Sequence, residues 1–276
     1  MKICVLQLYT IALNNKRLTR YLNLAKENDA RVVVLGEYIL NSFFTDILTT
    51  PLSIVKEQSR LNTLQLEILA KQLNLTIIAP LVHFVRNKPY KVLAKFSPKK
   101  TEFVSQNALI NYEHWDERGF FANALPSVLS VANKQVGKNA KMQPPEVMKF
   151  EIDGFRFAAI CGFELHFDAI FREVCAYSPH CILLPTASTL GSNSRWESLS
   201  VMRAFTASCY LVRANRLGKA KFGEVESEFY GDSFLVSPNG EMMQSLEQNE
   251  GILICDLDKN EVEEARKRWR FDSNYS

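Results

Sequence analysis

The chain has 276 residues, of which 47% are hydrophobic and 23% charged, and its formal net charge is +3. This is the composition of an ordinary globular protein, and the small charge argues against nucleic acid or a membrane surface as the partner. No stretch has the roughly 18 apolar residues of a membrane span, and the N-terminus lacks the apolar length of a signal peptide, so we expect a cytoplasmic protein.

The first third of the chain alternates short apolar runs with amphipathic segments, which predicts layered α/β structure. Three strands are expected, at residues 3–8, 32–35 and 75–82. A long helix is expected over about 53–73, with an inner face formed by Leu61, Leu64, Ile68 and Leu69. Two further strand-like segments flank the turn residues Ser97-Pro98-Lys99-Lys100, which predicts a hairpin.

The second half of the chain repeats this alternation. The predicted elements are a strand at 155–161, a helix at 165–178, a strand at 181–184, a helix around 196–205, a strand at 210–214, a hairpin at 234–246 and a strand at 252–257. Asn260, with Glu263 three residues later, is expected to start a terminal helix. We predict one domain over residues 1–276, with a core to about 258 and a C-terminal helix and tail at 259–276.

The cysteines and histidines do not form the pattern of a metal site. The six cysteines include no C-x-x-C pair, and the four histidines lack metal-ligand spacing. Reduced thiols are therefore expected rather than disulfides or zinc, and neither a metal nor a cofactor is predicted.

One cysteine stands at the end of an apolar run. In Phe157-Ala158-Ala159-Ile160-Cys161-Gly162-Phe163, a predicted strand ends at the Cys161 thiol and meets a glycine, which permits close backbone approach to a bound group. The amides of the helix expected next would stabilise a thiolate. Taken alone, the pattern fits an inert core cysteine better, because buried cysteine is a common small core residue.

Further motifs follow in a fixed order. They are Ile160-Cys161-Gly162-Phe163-Glu164, Pro185-Thr186-Ala187, Trp196, Arg203-Ala204 and Ala214-Asn215-Arg216-Leu217-Gly218. This series resembles the carbon–nitrogen hydrolase (nitrilase) superfamily, and in particular its amidase and N-carbamoyl amine hydrolase branches. The resemblance extends from the first strand to about residue 258. It implies an α/β fold built as a four-layer α-β-β-α sandwich, and assembly into homodimers or larger homo-oligomers.

The resemblance also implies a nucleophile and its base. Cys161 matches the nucleophile, and the backbone amide of Gly162 would complete the oxyanion hole. Glu37 ends the run Val33-Val34-Leu35-Gly36-Glu37-Tyr38, which resembles the strand end that carries the family's general base. Burial would raise the pKa of such a carboxylate toward a useful range, whereas the alternative is a solvated acid at a strand end.

A second glutamate is implied by the segment Asp116-Glu117-Arg118-Gly119-Phe120-Phe121. Glu117 precedes an aromatic pair, as does the family glutamate that orients the catalytic lysine and the substrate. Glu113 is the competing candidate, and either residue alone would also fit a loop surface.

The sequence departs from the family at the catalytic lysine. In the segment 104–110, Gln106 or Asn107 falls at the lysine position, and amide side chains donate hydrogen bonds without carrying charge. If Ser97-Pro98-Lys99-Lys100 closes the hairpin, facing residues have numbers that sum to 197, so Lys91 faces Gln106. Lys91 is therefore predicted as a relocated oxyanion-stabilising lysine; a solvent-facing lysine on an edge strand is the alternative.

Two functions are consistent with these residues. One is a thiol-dependent hydrolase that cleaves a small-molecule linear amide or N-carbamoyl amine through a Cys161 thioester. The other is a nitrilase-fold protein that has lost turnover and binds a small molecule or a protein. Substrate specificity is expected to come from the loops at 38–50, 111–145 and 188–195.

Overall fold

A computed structural model describes residues 1–11, 15–124 and 144–271 of the chain. Two six-stranded sheets form its centre. In spatial order, the first sheet consists of β16 (Gly251–Asp256), β1 (Lys2–Gln7), β2 (Val32–Leu35), β3 (Thr76–Val85), β4 (Lys88–Phe96) and β5 (Thr101–Ser105). β1, β2 and β3 run parallel, and β3, β4 and β5 are joined as antiparallel neighbours.

The second sheet has a similar plan. In spatial order it consists of β15 (Met242–Ser245), β14 (Phe234–Val236), β11 (Tyr210–Ala214), β10 (Cys181–Pro185), β9 (Phe155–Ala159) and β8 (Met148–Ile152). Its central strands β9, β10 and β11 are parallel. Two short hairpins lie outside the sheets, formed by β6 (Asn111–Tyr112) with β7 (Trp115–Asp116) and by β12 (Leu217–Phe222) with β13 (Val225–Tyr230).

Seven α-helices lie in the described parts of the chain. In chain order they are α1 (Asn15–Glu27), α2 (Phe44–Thr49), α3 (Leu52–Leu73), α4 (Glu117–Phe120), α5 (Asp168–Ala176), α6 (Asn193–Ala207) and α7 (Lys259–Trp269). In the parts of the chain that the structure describes, no helix is both long enough and apolar enough to span a bilayer.

The layering follows from the two-residue period of the strands. One set of strand residues, including Val32 and Val34 from the first sheet and Phe157 and Leu183 from the second, fills a core between the sheets. The alternate residues pack outward, under α1 and α3 on one side and under α5 and α6 on the other. The predicted four-layer α-β-β-α sandwich is confirmed.

One local prediction about the helices is wrong, and two predicted helices are present with different bounds. The inner face of α3 is not the predicted stripe, because Leu61, Leu64 and Ile68 are 37%, 43% and 55% exposed; of the four predicted residues only Leu69 is buried. The helix expected at 165–178 is present but shorter, because α5 spans Asp168–Ala176 and a 3-10 turn over Gly162–His166 precedes it. The terminal helix begins two residues earlier than expected, since Asp258 accepts the capping hydrogen bond from the Asn260 amide.

Candidate active site

The two sheets are joined where their parallel strands end. Glu37 lies two residues after β2, and its N–H donates to Thr186 O at 3.0 Å, just beyond β10. Gly36 allows this contact, because a Cβ there would lie 3.1 Å from both Ala214 O and Arg216 N. Since Cys161 lies two residues after β9, the strand ends that carry Glu37 and Cys161 meet at one edge of the sandwich.

Lys91 lies at this edge on β4, which runs antiparallel to β3. The predicted hairpin register is confirmed, because Val92 pairs with Ser105 and Phe96 with Thr101, and the Gln106 N–H donates to Lys91 O at 3.0 Å. The side chain of Lys91 is 3% exposed. Its Nζ lies 2.5 Å from Glu37 Oε2 and 2.7 Å from Glu117 Oε1. The ammonium is therefore held between two carboxylates away from solvent.

Glu117 is the second of these carboxylates, and it is completely buried at the start of α4. Tyr38 donates its hydroxyl to Glu117 Oε1, and the Ile110 N–H donates to Oε2 at 3.3 Å. The ring of Tyr38 also lies under the ammonium, with its centroid 4.8 Å from Lys91 Nζ. The competing candidate, Glu113, is exposed to solvent.

The charged groups in this cluster shift one another's pKa values. Burial alone would lower the pKa of Lys91, but the carboxylates of Glu117 and Glu37 outweigh it and raise that pKa well above its ordinary value. Burial raises the pKa of Glu37, and the Lys91 ammonium opposes this shift only in part. Lys91 therefore stays charged, while Glu37 binds a proton more readily than an exposed glutamate does, as a general base should.

The Cys161 thiol is buried beside this cluster. The Gly162 N–H donates to Glu37 Oε1 at 3.2 Å, so the proposed oxyanion amide and the proposed base are neighbours. A Cβ on Gly162 would lie 2.6 Å from Thr186 Cγ2, which explains the glycine. The α-helix whose amides were expected to stabilise a thiolate does not follow Cys161 directly. Burial and the carboxylates of Glu37 and Glu164 raise the pKa of the thiol well above its ordinary value, and only a short 3-10 turn follows it.

Gln106 and Asn107, the two candidates for the position of the family's lysine, use their side-chain amides in other hydrogen bonds. Gln106 Nε2 donates to Ala108 O at 2.7 Å, and Asn107 Nδ2 donates to Glu164 Oε1 at 2.7 Å. Glu164 and Tyr38 were not predicted as part of the site. The one sequence signal for Glu164 was its position three residues after Cys161, the spacing of a capping box.

Glu164 gives a prediction for stability against pH. Burial raises its pKa to about 7, although hydrogen bonds from Asn107 and Cys161 oppose the shift. Because the unfolded chain releases this proton near pH 4.3, Glu164 stabilises the fold below that pH, and the contribution is lost as the pH rises to about 7. Glu164→Gln should therefore remove a fall of up to about 3 kcal/mol in the free energy of unfolding across this window.

The measurement is denaturant unfolding at a series of pH values from 4.5 to 8. Only the slope against pH tests the assignment, since the Gln amide also loses the hydrogen bond from the Cys161 N–H and shifts the whole curve. If the free energy of unfolding of Glu164→Gln fell with pH as steeply as that of the wild type, the pH dependence would not come from Glu164.

Comparison with known proteins shows the family of the chain. The carbon-nitrogen hydrolase family profile matches residues 6–267, nearly the whole chain. This chain belongs to the carbon-nitrogen hydrolase family. Among the described residues, no three His, Cys, Asp or Glu side chains are grouped to hold a metal ion.

Curated relatives of the family match over shorter segments. A 2-oxoglutaramate amidase from Bacillus subtilis is 24% identical over 118 residues, which cover 43% of this chain and 44% of the relative. An N-carbamoylputrescine amidase from Oryza sativa is 28% identical over 90 residues, covering 31% and 30%. The matched segments thus span less than half the length of these relatives.

Solved structures match over the whole length. A carbon-nitrogen hydrolase from Helicobacter pylori G27 gives a TM-score of 0.78 at 16% identity, covering 99% of this chain and 94% of that one. A mutant of the amidase from Nesterenkonia sp. AN1, in which acrylamide has added to the active-site cysteine, gives 0.75 at 17% identity and covers 100% of both chains. At such identities the likeness shows that the fold is shared.

Proposed function

We propose that this carbon-nitrogen hydrolase is an amidase that cleaves a linear amide or an N-carbamoyl amine through a thioester on Cys161. The observation that carries the proposal is the Lys91 ammonium, 2.5 Å from Glu37 and 2.7 Å from Glu117, beside the turn that holds the thiol. Nucleophile, base and oxyanion donors are the three parts that this chemistry needs. The amidases among the relatives support the substrate class.

Acylation begins with the neutral thiol. Cys161 Sγ attacks the carbonyl carbon while its proton passes to Glu37, and the carbonyl oxygen takes the charge opposite Lys91 Nζ and the Gly162 N–H. In the structure this N–H donates to Glu37 Oε1. A protonated carboxyl is a weaker acceptor, so proton transfer frees the amide for the oxyanion. Glu37 then protonates the leaving nitrogen, the C–N bond breaks, and ammonia or an amine departs from the thioester.

Deacylation uses the same groups in reverse. A water molecule gives its proton to Glu37 and attacks the thioester carbon, with the oxyanion again opposite Lys91. The C–S bond breaks, Glu37 returns the proton to Cys161, and the acid is released. Glu117 and Tyr38 keep the ammonium in place during both steps and do not exchange protons with the substrate.

The alternative, a nitrilase-fold protein without turnover, rested on the uncharged residues Gln106 and Asn107. The buried ammonium of Lys91 favours the hydrolase instead, because it supplies the charge that the amides lack. The direct test is a screen of amides, ureido acids and carbamoyl amines for ammonia release. Release that depends on Cys161 supports the hydrolase, whereas binding of a compound without release supports the alternative. A cytoplasmic location and a homo-oligomeric state stay predictions.

Removing the proposed base should slow the reactions of the Cys161 thiol. Glu37→Gln keeps the size of the side chain but no longer accepts a proton, and losses of about 10²–10⁴-fold are typical for a general base. We expect acrylamide to add to Cys161 slower by this factor, measured by intact mass against time. Glu102→Gln is the matched control, because Glu102 also pairs with a buried lysine of β4, Lys95. An unchanged rate in Glu37→Gln would argue against this base.

A further inference from the structure

Glu164 is a buried carboxylate that the proposed mechanism leaves unused. It is 3% exposed and lies in the 3-10 turn that follows Cys161. Its Oε2 accepts the N–H of Cys161 at 2.8 Å. Its Oε1 accepts both the N–H of Asn107 at 2.6 Å and the Asn107 side-chain amide at 2.7 Å. Burying a carboxylate is costly unless its hydrogen bonds compensate, and three donors converge on this one.

The two partners of Glu164 belong to different sheets. Cys161 follows β9 of the second sheet, and Asn107 follows β5 of the first. Next to Asn107, Gln106 donates its N–H to Lys91 O at 3.0 Å. Asn123 closes the connection, because its side-chain amide donates to Lys91 O at 2.7 Å and to Gln106 O at 2.9 Å. A continuous path of hydrogen bonds and backbone therefore runs from Cys161 to Lys91.

We propose that Glu164 is a positioning residue, which, through Asn107, fixes the Cys161 nucleophile relative to the Lys91 ammonium; this role rests on the proposed hydrolase function. The reacting atoms of a thiol attack must be held within a fraction of an ångström, and a displacement of about 1 Å costs up to about 10²-fold in rate. The two groups come from opposite sheets, so a hydrogen-bonded link between the sheets helps to fix their separation.

A simple cap of the 3-10 turn would account for the bond to Cys161 but not for the two bonds to Asn107. The two roles differ in what Asn107 does. A cap acts within the turn, so truncating Asn107 would leave the reactivity of Cys161 unchanged. A bridge acts as one unit: Glu164→Gln weakens it at the Cys161 end and Asn107→Ala at the Asn107 end, so their effects do not multiply.

The experiment measures acrylamide addition to Cys161, together with kcat and KM on any amide that is hydrolysed. Glu164→Gln and Asn107→Ala should each slow addition about tenfold or more and lower kcat, with KM within about twofold. The double variant should be no slower than the slower single variant. His180→Ala is the control, because this buried residue bonds the Arg156 N–H where β10 begins, at the opposite end of the parallel strands.

Each outcome decides the question. Rates that fall multiplicatively in the double variant, or an Asn107→Ala rate equal to that of His180→Ala, would overturn the bridge. If Glu164→Gln does not fold, Asn107→Ala and the milder Asn107→Ser carry the test, with circular dichroism reporting the folded fraction. A wild-type protein that releases no ammonia from any amide refutes the proposed hydrolase, while the acrylamide rates still decide whether Glu164 positions Cys161.

Discussion

Cys161→Ala will abolish amide hydrolysis by this protein, with a loss of roughly 10⁴-fold or more in kcat, because no thioester forms without the thiol. In the same variant the peptide that carries residue 161 should gain no mass from acrylamide, and it is read separately from the partly exposed Cys175. Its stability should change by only about 1 kcal/mol, since a single buried atom is removed and the neighbouring charges keep their partners. The measurements are ammonia release, peptide mass and denaturant unfolding of the purified variant.

Cys181→Ala is the matched control for this substitution. Cys181 is as fully buried as Cys161, lies in the same core between the sheets, and starts β10 next to β9. It stands at the opposite end of these parallel strands from Cys161, so its removal should leave hydrolysis and acrylamide addition unchanged. Turnover near the wild-type rate in Cys161→Ala would refute the thioester mechanism.

Local rules predicted Lys91 as the relocated lysine but did not predict Glu164. The position of Lys91 depends on a four-residue turn and on the two-residue period of a strand, and both can be read over some 15 residues of sequence. The main partner of Glu164, Asn107, lies 57 residues away in the other sheet. That pair forms only when the two sheets pack together, and no periodicity in either segment records the packing.

The prediction for the inner face of α3 is wrong for a related reason. Its buried stripe includes the polar residues Ser59 and Asn62, and its exposed stripe includes the apolar Leu61, Leu64 and Ile68. The polar pair is satisfied inside the fold, because Asn41 donates to Ser59 Oγ at 3.1 Å and Asn62 donates to Leu40 O at 2.7 Å. Hydrophobic periodicity assumes that polar residues face water, and tertiary hydrogen bonds remove that assumption here.

Lys91→Met will lower kcat by about 10²–10³-fold, the usual cost of one oxyanion donor. Methionine has a similar length and fits an apolar pocket, but it carries no charge and donates no hydrogen bond. The control is Lys95→Met, on the same face of β4 four residues later. Lys95 is also buried and is also paired with a carboxylate, that of Glu102. Lys95→Met should therefore lose this ion pair but keep a kcat within about twofold of the wild-type value.

The free energy of unfolding of Lys91→Met should show whether the variant loses stability through the missing charge or through packing. Removing the ammonium leaves Glu37 and Glu117 facing each other in a buried site, which costs about 3–5 kcal/mol when both are ionised. It also removes the interaction that lowers the pKa of Glu37, so that pKa rises further. A carboxyl with a raised folded-state pKa stabilises the fold at low pH and loses this contribution as the pH rises.

The stability deficit of Lys91→Met against wild type should consequently be small near pH 5 and grow toward pH 8, as measured by denaturant unfolding at each pH. A packing defect would give the same deficit at every pH, since methionine and the surrounding side chains do not titrate. A constant deficit would show that the lost stability comes from packing rather than charge. Equal losses of activity in Lys91→Met and Lys95→Met would exclude Lys91 as the oxyanion-stabilising group. Lys91 would then only neutralise the two carboxylates, and binding without turnover would become the better account of the site.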